Sequence, residues 1–172
     1  MTLPFPIPVL QTERLILRAP RESDLEAMVA FSASDRTVFL GGPQDRVQTW
    51  RGLLANIGHW ALRGYGFWSV DTRGGDFVGR VGVICHDGWP EPELAWHLFD
   101  GFEGKGYAAE AALAAREHAY GELNMGPLIS MIAPANVRSI ALAERLGARF
   151  ERADPGRVKP FHVYRHPKPE AL

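Results

Sequence analysis

Phe102-Glu103-Gly104-Lys105-Gly106-Tyr107-Ala108-Ala109-Glu110-Ala111 is the stretch on which the reading of the fold turns. Strand-like Glu93-Leu94-Ala95-Trp96-His97-Leu98-Phe99 feeds a glycine-rich loop, and the loop opens an alanine-rich helix predicted over 107–122. The first N–H groups of a helix have no partner within it and carry partial positive charge. Glycines remove the side chains that would hold an anion away from the backbone. The arrangement suits a phosphate; a tight strand-to-helix turn without a ligand is the plainer alternative. Gly104-Lys105-Gly106-Tyr107-Ala108-Ala109 also fits the dinucleotide pattern G-x-G-x-x-A. The next strand ends Ile132-Ala133-Pro134-Ala135, with no acid for a ribose, and the motif falls late in the chain. The P-loop pattern fails, since no Gly-Lys-Ser or Gly-Lys-Thr occurs.

Outward from the loop, Ala108, Ala112, Ala115 and Ala119 share one helix face and allow close approach to a sheet. Strands are predicted over 12–18, 67–72, 77–85, 93–99 and 127–133, with a last pair over 149–167 around Pro155-Gly156. Ser23 and Glu26 have capping-box spacing for a short helix. A longer helix over 44–63 carries a stripe of Val47, Trp50, Leu54, Ile57 and Ala61. Strands first, then alternating strands and helices, predict a mixed α/β (α+β) sheet. Residues 1–11 form an extended proline-rich lead-in, 12–167 one domain and 168–172 a tail.

The 172 residues have a net charge of −1, with 46% hydrophobic and 23% charged. That is an ordinary one-domain globular composition, not a disordered or disulfide-stapled one. No basic field points to nucleic acid, and no apolar run is long enough for a membrane span. The single cysteine, Cys85, cannot form an internal disulfide. With no signal pattern, a cytoplasmic location is expected. His162 and His166 have the spacing of half a zinc site, but no second ligand pair accompanies them, so no metal is expected. The basic scatter Arg145, Arg149, Arg152, Arg157 and Lys159 is interrupted by acids and reads as solvated surface.

Asn136 and Ser139 mark a second helix start, an N-cap and the third helical position. Two such starts at one end of a sheet could span one elongated phosphate-bearing ligand. Taken together, Thr12-Glu13-Arg14-Leu15-Ile16-Leu17-Arg18, Gly79-Arg80-Val81-Gly82, Glu93-Leu94-Ala95-Trp96, the glycine loop, and Asn136 with Ser139 and Leu146-Gly147-Ala148 resemble the GCN5-related N-acetyltransferase (GNAT) superfamily. The likeness is to its ribosomal-protein alanine acetyltransferase-like branch and covers nearly the whole chain. It implies a mostly antiparallel sheet of about seven strands with about four helices, splayed between the fourth and fifth strands. It implies acetyl-CoA as co-substrate, its diphosphate on Gly101, Phe102, Glu103, Gly104, Lys105, Gly106 and Tyr107. Trp96, His97 and Leu98 would pair with the pantetheine arm, Asn136 would bond it, and Ser139 would approach the sulfur. Gly101 stands where the family usually has Gln or Arg. Ala143 stands where many members carry a tyrosine acid.

Acetyl transfer to a primary amine requires a neutral amine, donors for the thioester oxygen and a leaving thiolate. Glu93 is the candidate base, directly or through a water, with His97 on the same strand face as a possible relay. Ser139 or a water is the candidate acid. Glu110 reads as a structural first-turn acid. Trp68, Trp89 and Trp96 could line an acceptor pocket. The acceptor is expected to be a protein N-terminal amine or a small amine, and the protein a monomer or homodimer. The rival is a CoA-binding sensor or scaffold that no longer catalyses.

Overall fold

Eight strands form one sheet in the order β1-β2-β3-β4-β5-β6-β8-β7 in this computed structural model, which describes residues 5–156 and 159–169. Parts of the lead-in and tail, and Arg157 of the basic scatter, lie outside the described residues. The strands are β1 Leu10–Gln11, β2 Leu15–Arg18, β3 Phe67–Thr72, β4 Phe77–Ile84, β5 Glu93–Leu98, β6 Ile129–Ile132, β7 Arg149–Asp154 and β8 Phe161–Arg165. The helices are α1 Leu25–Ser32, α2 Arg46–Arg63, α3 Tyr107–Gly121 and α4 Val137–Arg145. The mixed α/β class holds. The strand beyond the expected seven is β1, where Leu10 and Gln11 pair with Leu17 and Ile16. Nearby, Trp68 Nε1 donates to the Pro8 carbonyl at 2.8 Å.

All pairings are antiparallel except β5–β6. On one face α3 lies flat on the sheet, with Ala111, Ala112, Ala115 and Ala119 buried against Val81, Val83 and Leu94. The other face carries α1 and α2, with Met28, Phe31, Leu53 and Phe99 as a second core.

Two local expectations are corrected. The Ser23–Glu26 box does not form: Asp24 accepts from Arg21 N at 2.9 Å and caps a 3-10 turn, Glu22–Asp24. Asp24 is held there by the Arg18 guanidinium (2.8 and 3.0 Å) and by the Ser69 hydroxyl at 2.7 Å. Burial works against its charge, but these partners keep its pKa below the ordinary value. Helix α2 starts at Arg46 behind an Asp45–Gln48 capping box, and its stripe is rotated from the expected one. Val47 and Leu54 are exposed, whereas Thr49, Leu53, Asn56, His59 and Trp60 are buried. Asn56 turns inward because it closes two backbone bonds, donating to Phe67 O and accepting from Phe67 N. A satisfied amide is cheap to bury.

Candidate active site

The β5–β6 junction builds the site. Parallel pairing there has one register pair, Glu93↔Ile129. Beyond it the strands separate, and side chains occupy the bonds a ladder would have made. The Glu93 carboxylate accepts from Met131 N at 2.9 Å, and the Ser130 hydroxyl donates to Leu94 O at 2.6 Å. Ser130 accepts in turn from His166 Nε2 (2.9 Å), whose Nδ1 accepts from Arg116 Nη1 at 3.2 Å. That buried chain wedges the junction. It also spends His166, whose pKa burial and Arg116 push down to about 4.

Backbone groups of a strand face its two neighbours alternately. Phe99 N bonds Val78 O on β4, while Leu94 O meets Ser130 and Leu98 O accepts from Arg36 on the opposite edge. Trp96 therefore turns its N–H and C=O into the gap. An open cleft of about 1620 Å³ passes through this gap and joins the two faces of the sheet. On one side it is lined by Trp96, Asn136 and Ser139, on the other by Asn56, His59, Phe67, Arg80 and His97, with Glu93 between.

Glu93 is buried, and desolvation lifts its pKa to about 8 against the opposing Met131 N–H. His97 is held neutral: burial, then Arg80, lower its pKa to about 3, and its Nδ1 accepts from Arg80 Nη2 at 3.1 Å. An imidazole so placed is a poor proton relay. His59 is also committed, with Nδ1 on Tyr65 O at 2.6 Å and Nε2 accepting from Cys85 N at 3.1 Å. Trp96 Nε1 donates to Ser139 Oγ at 3.3 Å. Asn136 caps α4, its Oδ1 accepting from Ser139 N at 3.3 Å. Ala143 is completely buried against Ile132, Ala148 and Tyr164. Trp68 packs in the core beneath α3, so Trp89 and Trp96 are the tryptophans on the cleft.

The glycine loop lies past the end of β5, outside the cleft lining. Gly101, Gly104 and Gly106 have φ of +84°, +73° and +81°, a region that disfavours other residues. Space over Gly101 and Gly104 is open; a Cβ there meets nothing within 4 Å. Helix α3 begins at Tyr107, with Gly106 as its N-cap and no side-chain cap. Among the described residues, the first-turn N–H groups of α3, from Tyr107 through Ala109, have no backbone acceptor. Arg14 braces the loop, donating to Lys105 O at 2.8 Å and to Glu110 at 2.7 Å, with its guanidinium 5.0 Å from the Tyr107 ring centre. Glu110 also accepts from Thr12 Oγ1 (2.6 Å) and Arg14 N (2.9 Å), which makes it a clamp between α3 and the turn that leads into β2. Glu103 pairs with Arg36 and lies 3.9 Å from Arg138 in the first turn of α4, so the two helix starts adjoin. Lys105 Nζ sits 5.4 Å from the Phe102 ring.

Glu93, Trp96, His97, Asn136 and Ser139 are thus brought together on the cleft, while Leu98 and residues 101–107 continue from it. The sequence reading missed Arg14, Arg36 and Arg80 as neighbours of the site; their partners lie 17 to 96 residues away, beyond any local spacing. His162 packs on Phe150, away from the Ser130–His166 bond. Among the described residues no cluster of three or more His, Cys, Asp or Glu could hold a metal, and no helix is long and apolar enough to cross a membrane.

Residues 14–149 match the family described as "Acetyltransferase (GNAT) domain". An acetyltransferase from Agrobacterium tumefaciens superposes with a TM-score of 0.88 at 39% identity, over 97% of this chain and 98% of that one. YkkB of Bacillus subtilis, a protein described as uncharacterized, is 28% identical over 90% of this chain and 93% of its own length. The ribosomal-protein α-N-acetyltransferase RimL, solved in complex with coenzyme A, shares the fold with a TM-score of 0.79 at 17% identity, over 92% of this chain and 97% of that one.

Proposed function

The chain belongs to the GNAT acetyltransferase family and is an N-acetyltransferase, and from that premise we propose that it moves the acetyl group of acetyl-CoA to a primary amine held beside Glu93. The observation that carries this reading is the cleft through the sheet, with the free N–H of Trp96 on one side of Glu93 and an open face on the other. The residues fit the co-substrate. Unpaired first-turn N–H groups from Tyr107 to Ala109 and open space over Gly101 and Gly104 suit a diphosphate. Trp96 and Leu98 offer a strand edge to the pantetheine amides, and Asn136 an amide at the α4 start. Acetyl-CoA supplies the activated acyl group. Within the chain, Trp96 N–H donates to the thioester oxygen as charge grows there. Glu93 takes the proton of the ammonium directly or through a water. With a pKa near 8 it matches an α-amine, which titrates near ~8. Ser139, bonded to Trp96 Nε1, is the candidate acid for the departing sulfur, with a water as the alternative.

Ala143 favours a second reading, a CoA-binding sensor that no longer catalyses: the position is fully buried and no phenol stands there. One experiment separates the readings. Acetyl-CoA at a hundred times its dissociation constant stabilises the fold by about 2.7 kcal/mol. At this chain length that raises the melting temperature by about 5–10 °C. Thiol release with a panel of amines accompanies the shift if the protein is a transferase. A shift without release supports the sensor. A melting curve unmoved by millimolar acetyl-CoA overturns both.

A further inference from the structure

On the α1/α2 face of the cleft, Arg80 is a charge without a counter-ion. It stands on β4 between Ser69 of β3 and His97 of β5. Its Nε–H is buried and, among the described residues, has no hydrogen-bond partner. His97 Nδ1, a neutral acceptor, is the one side-chain bond of the guanidinium among those residues. Burial lowers its pKa to about 10, so it stays charged at neutral pH. Asp24 attracts it from a distance, but that carboxylate is already spent on Arg18, Arg21 N and Ser69. Besides Glu93, the acids lining the cleft are Asp87 and Asp154, and neither pairs with Arg80. A buried donor left open on a charged group is costly, and the structure keeps this one rigid. The guanidinium sits 5.3 Å from the Phe67 ring, and the His97 ring it bonds lies between Phe31 (5.8 Å) and Phe67 (5.1 Å).

The register sets Arg80 against the chemistry. Glu93, Ala95 and His97 share one face of β5, and Arg80 lies directly across from His97. Glu93 and His97 are therefore about 13 Å apart along the strand, at roughly 3.3 Å per residue. Only the methyl of Ala95 stands between them on that strand face, and it lines the cleft. Above the same cleft Val38, Phe39 and Leu40 expose apolar side chains before Gly41-Gly42.

We propose that the acceptor is an amine that also bears a carboxylate, with an apolar body: its amine lies beside Glu93 and its carboxylate on the open Nε–H edge of Arg80. An Arg fork is suited to that planar anion, and an acceptor with a second cation at this end is rejected by it. The inference deepens the transferase reading and rests on it for the place of the amine.

The test compares ω-amino acids, whose chains can reach from Glu93 to Arg80, with the amines that lack the carboxylate: 5-aminopentanoate with butylamine, 6-aminohexanoate with pentylamine, and 8-aminooctanoate with heptylamine, using wild type, Arg80→Met and Arg80→Lys. A charge-assisted bond is worth about 10- to 100-fold. At least one pair should show that preference for the carboxylate form in kcat/KM. The ratio should fall to near one in Arg80→Met and recover in part in Arg80→Lys. A ratio, taken within each variant, is insensitive to a general loss of folded protein. A second arm needs no turnover. 3-Phenylpropionate should raise the melting temperature of wild type above what 3-phenylpropanamide does, and the difference should vanish in Arg80→Met. Equal rates on both members of every pair, or an unchanged ratio in Arg80→Met, overturns the proposal. So does acetylation of peptides in place of free amino acids with no dependence on Arg80. If acetyl-CoA fails to shift the melting curve, the transferase reading falls, and the 3-phenylpropionate arm still decides whether Arg80 receives a carboxylate.

Discussion

Glu93 has two burdens that pull in opposite senses. Its burial at the strand junction raises its pKa to about 8, and its bond to Met131 N closes the sheet. Glu93→Gln keeps the second function, since the amide oxygen can accept from Met131 N, and removes the first. Turnover should fall by about 10²–10⁴ with the KM for acetyl-CoA nearly unchanged. An alkylamine acceptor titrating near ~10.4 isolates the enzyme's own ionisation. Wild-type kcat/KM should then show a limb centred near pH 8, which initial rates from pH 6 to 10 would record. The variant should lack it and recover only at high pH, where solvent deprotonates the amine. A variant within twofold of wild type at pH 7, with the same profile, removes Glu93 from the mechanism. The place of Glu93 on the strand that borders the cleft was approachable from sequence because alternation along 93–98 needs only the strand. Its bond to Met131 was not, since that depends on how two strands distant in sequence diverge.

At the scale of elements, what was legible follows how local the causes are. The glycine loop and both helix starts are set by neighbours within a few residues: three positive φ values at 101, 104 and 106, and the Asn136–Ser139 cap. The face of α2 was not legible, because Asn56 is inside for the sake of the Phe67 backbone, against its polarity. The β1 pairing also hides in a proline-rich segment whose composition speaks only of extension. The splay itself has a physical agent in Ser130, which is 1% exposed and serves Leu94 O and His166 together. Ser130→Ala leaves a buried carbonyl and a buried ring N–H without partners. The expected cost is about 1–3 kcal/mol, measurable as a lowered urea midpoint with an unchanged slope. A midpoint equal to wild type would mean that the junction is not held by this chain of bonds.

For the whole molecule, the buried ionisable groups set a pH of best stability. His97 and His166 have folded pKa values of about 3 and 4, below the ordinary ~6.5. Their contribution is full above pH 6.5 and is lost as pH falls through that value toward the folded ones. Glu93 runs the other way: from an ordinary value near ~4.3 to about 8, its contribution is lost as pH rises across that interval. Between about pH 4.3 and 6.5 the unfolded chain gains two protons on the histidines and loses one from Glu93, so stability rises with pH by about one proton's worth. From about 6.5 to 8 only the Glu93 loss remains, and stability declines. Denaturation midpoints measured from pH 4.5 to 8.5 should therefore peak near pH 6.5, and Glu93→Gln should abolish the alkaline decline. A curve flat through pH 8 in wild type would contradict the burial of Glu93 as a neutral acid. The strand junction bears lastly on heredity. A backbone ladder accepts nearly any side chain that fits its face, so most of this sheet can change letters over generations and keep its bonds. Where β5 leaves β6, the bonds belong to a glutamate and a serine, and mutational drift at those two codons is charged against both the shape of the sheet and its work.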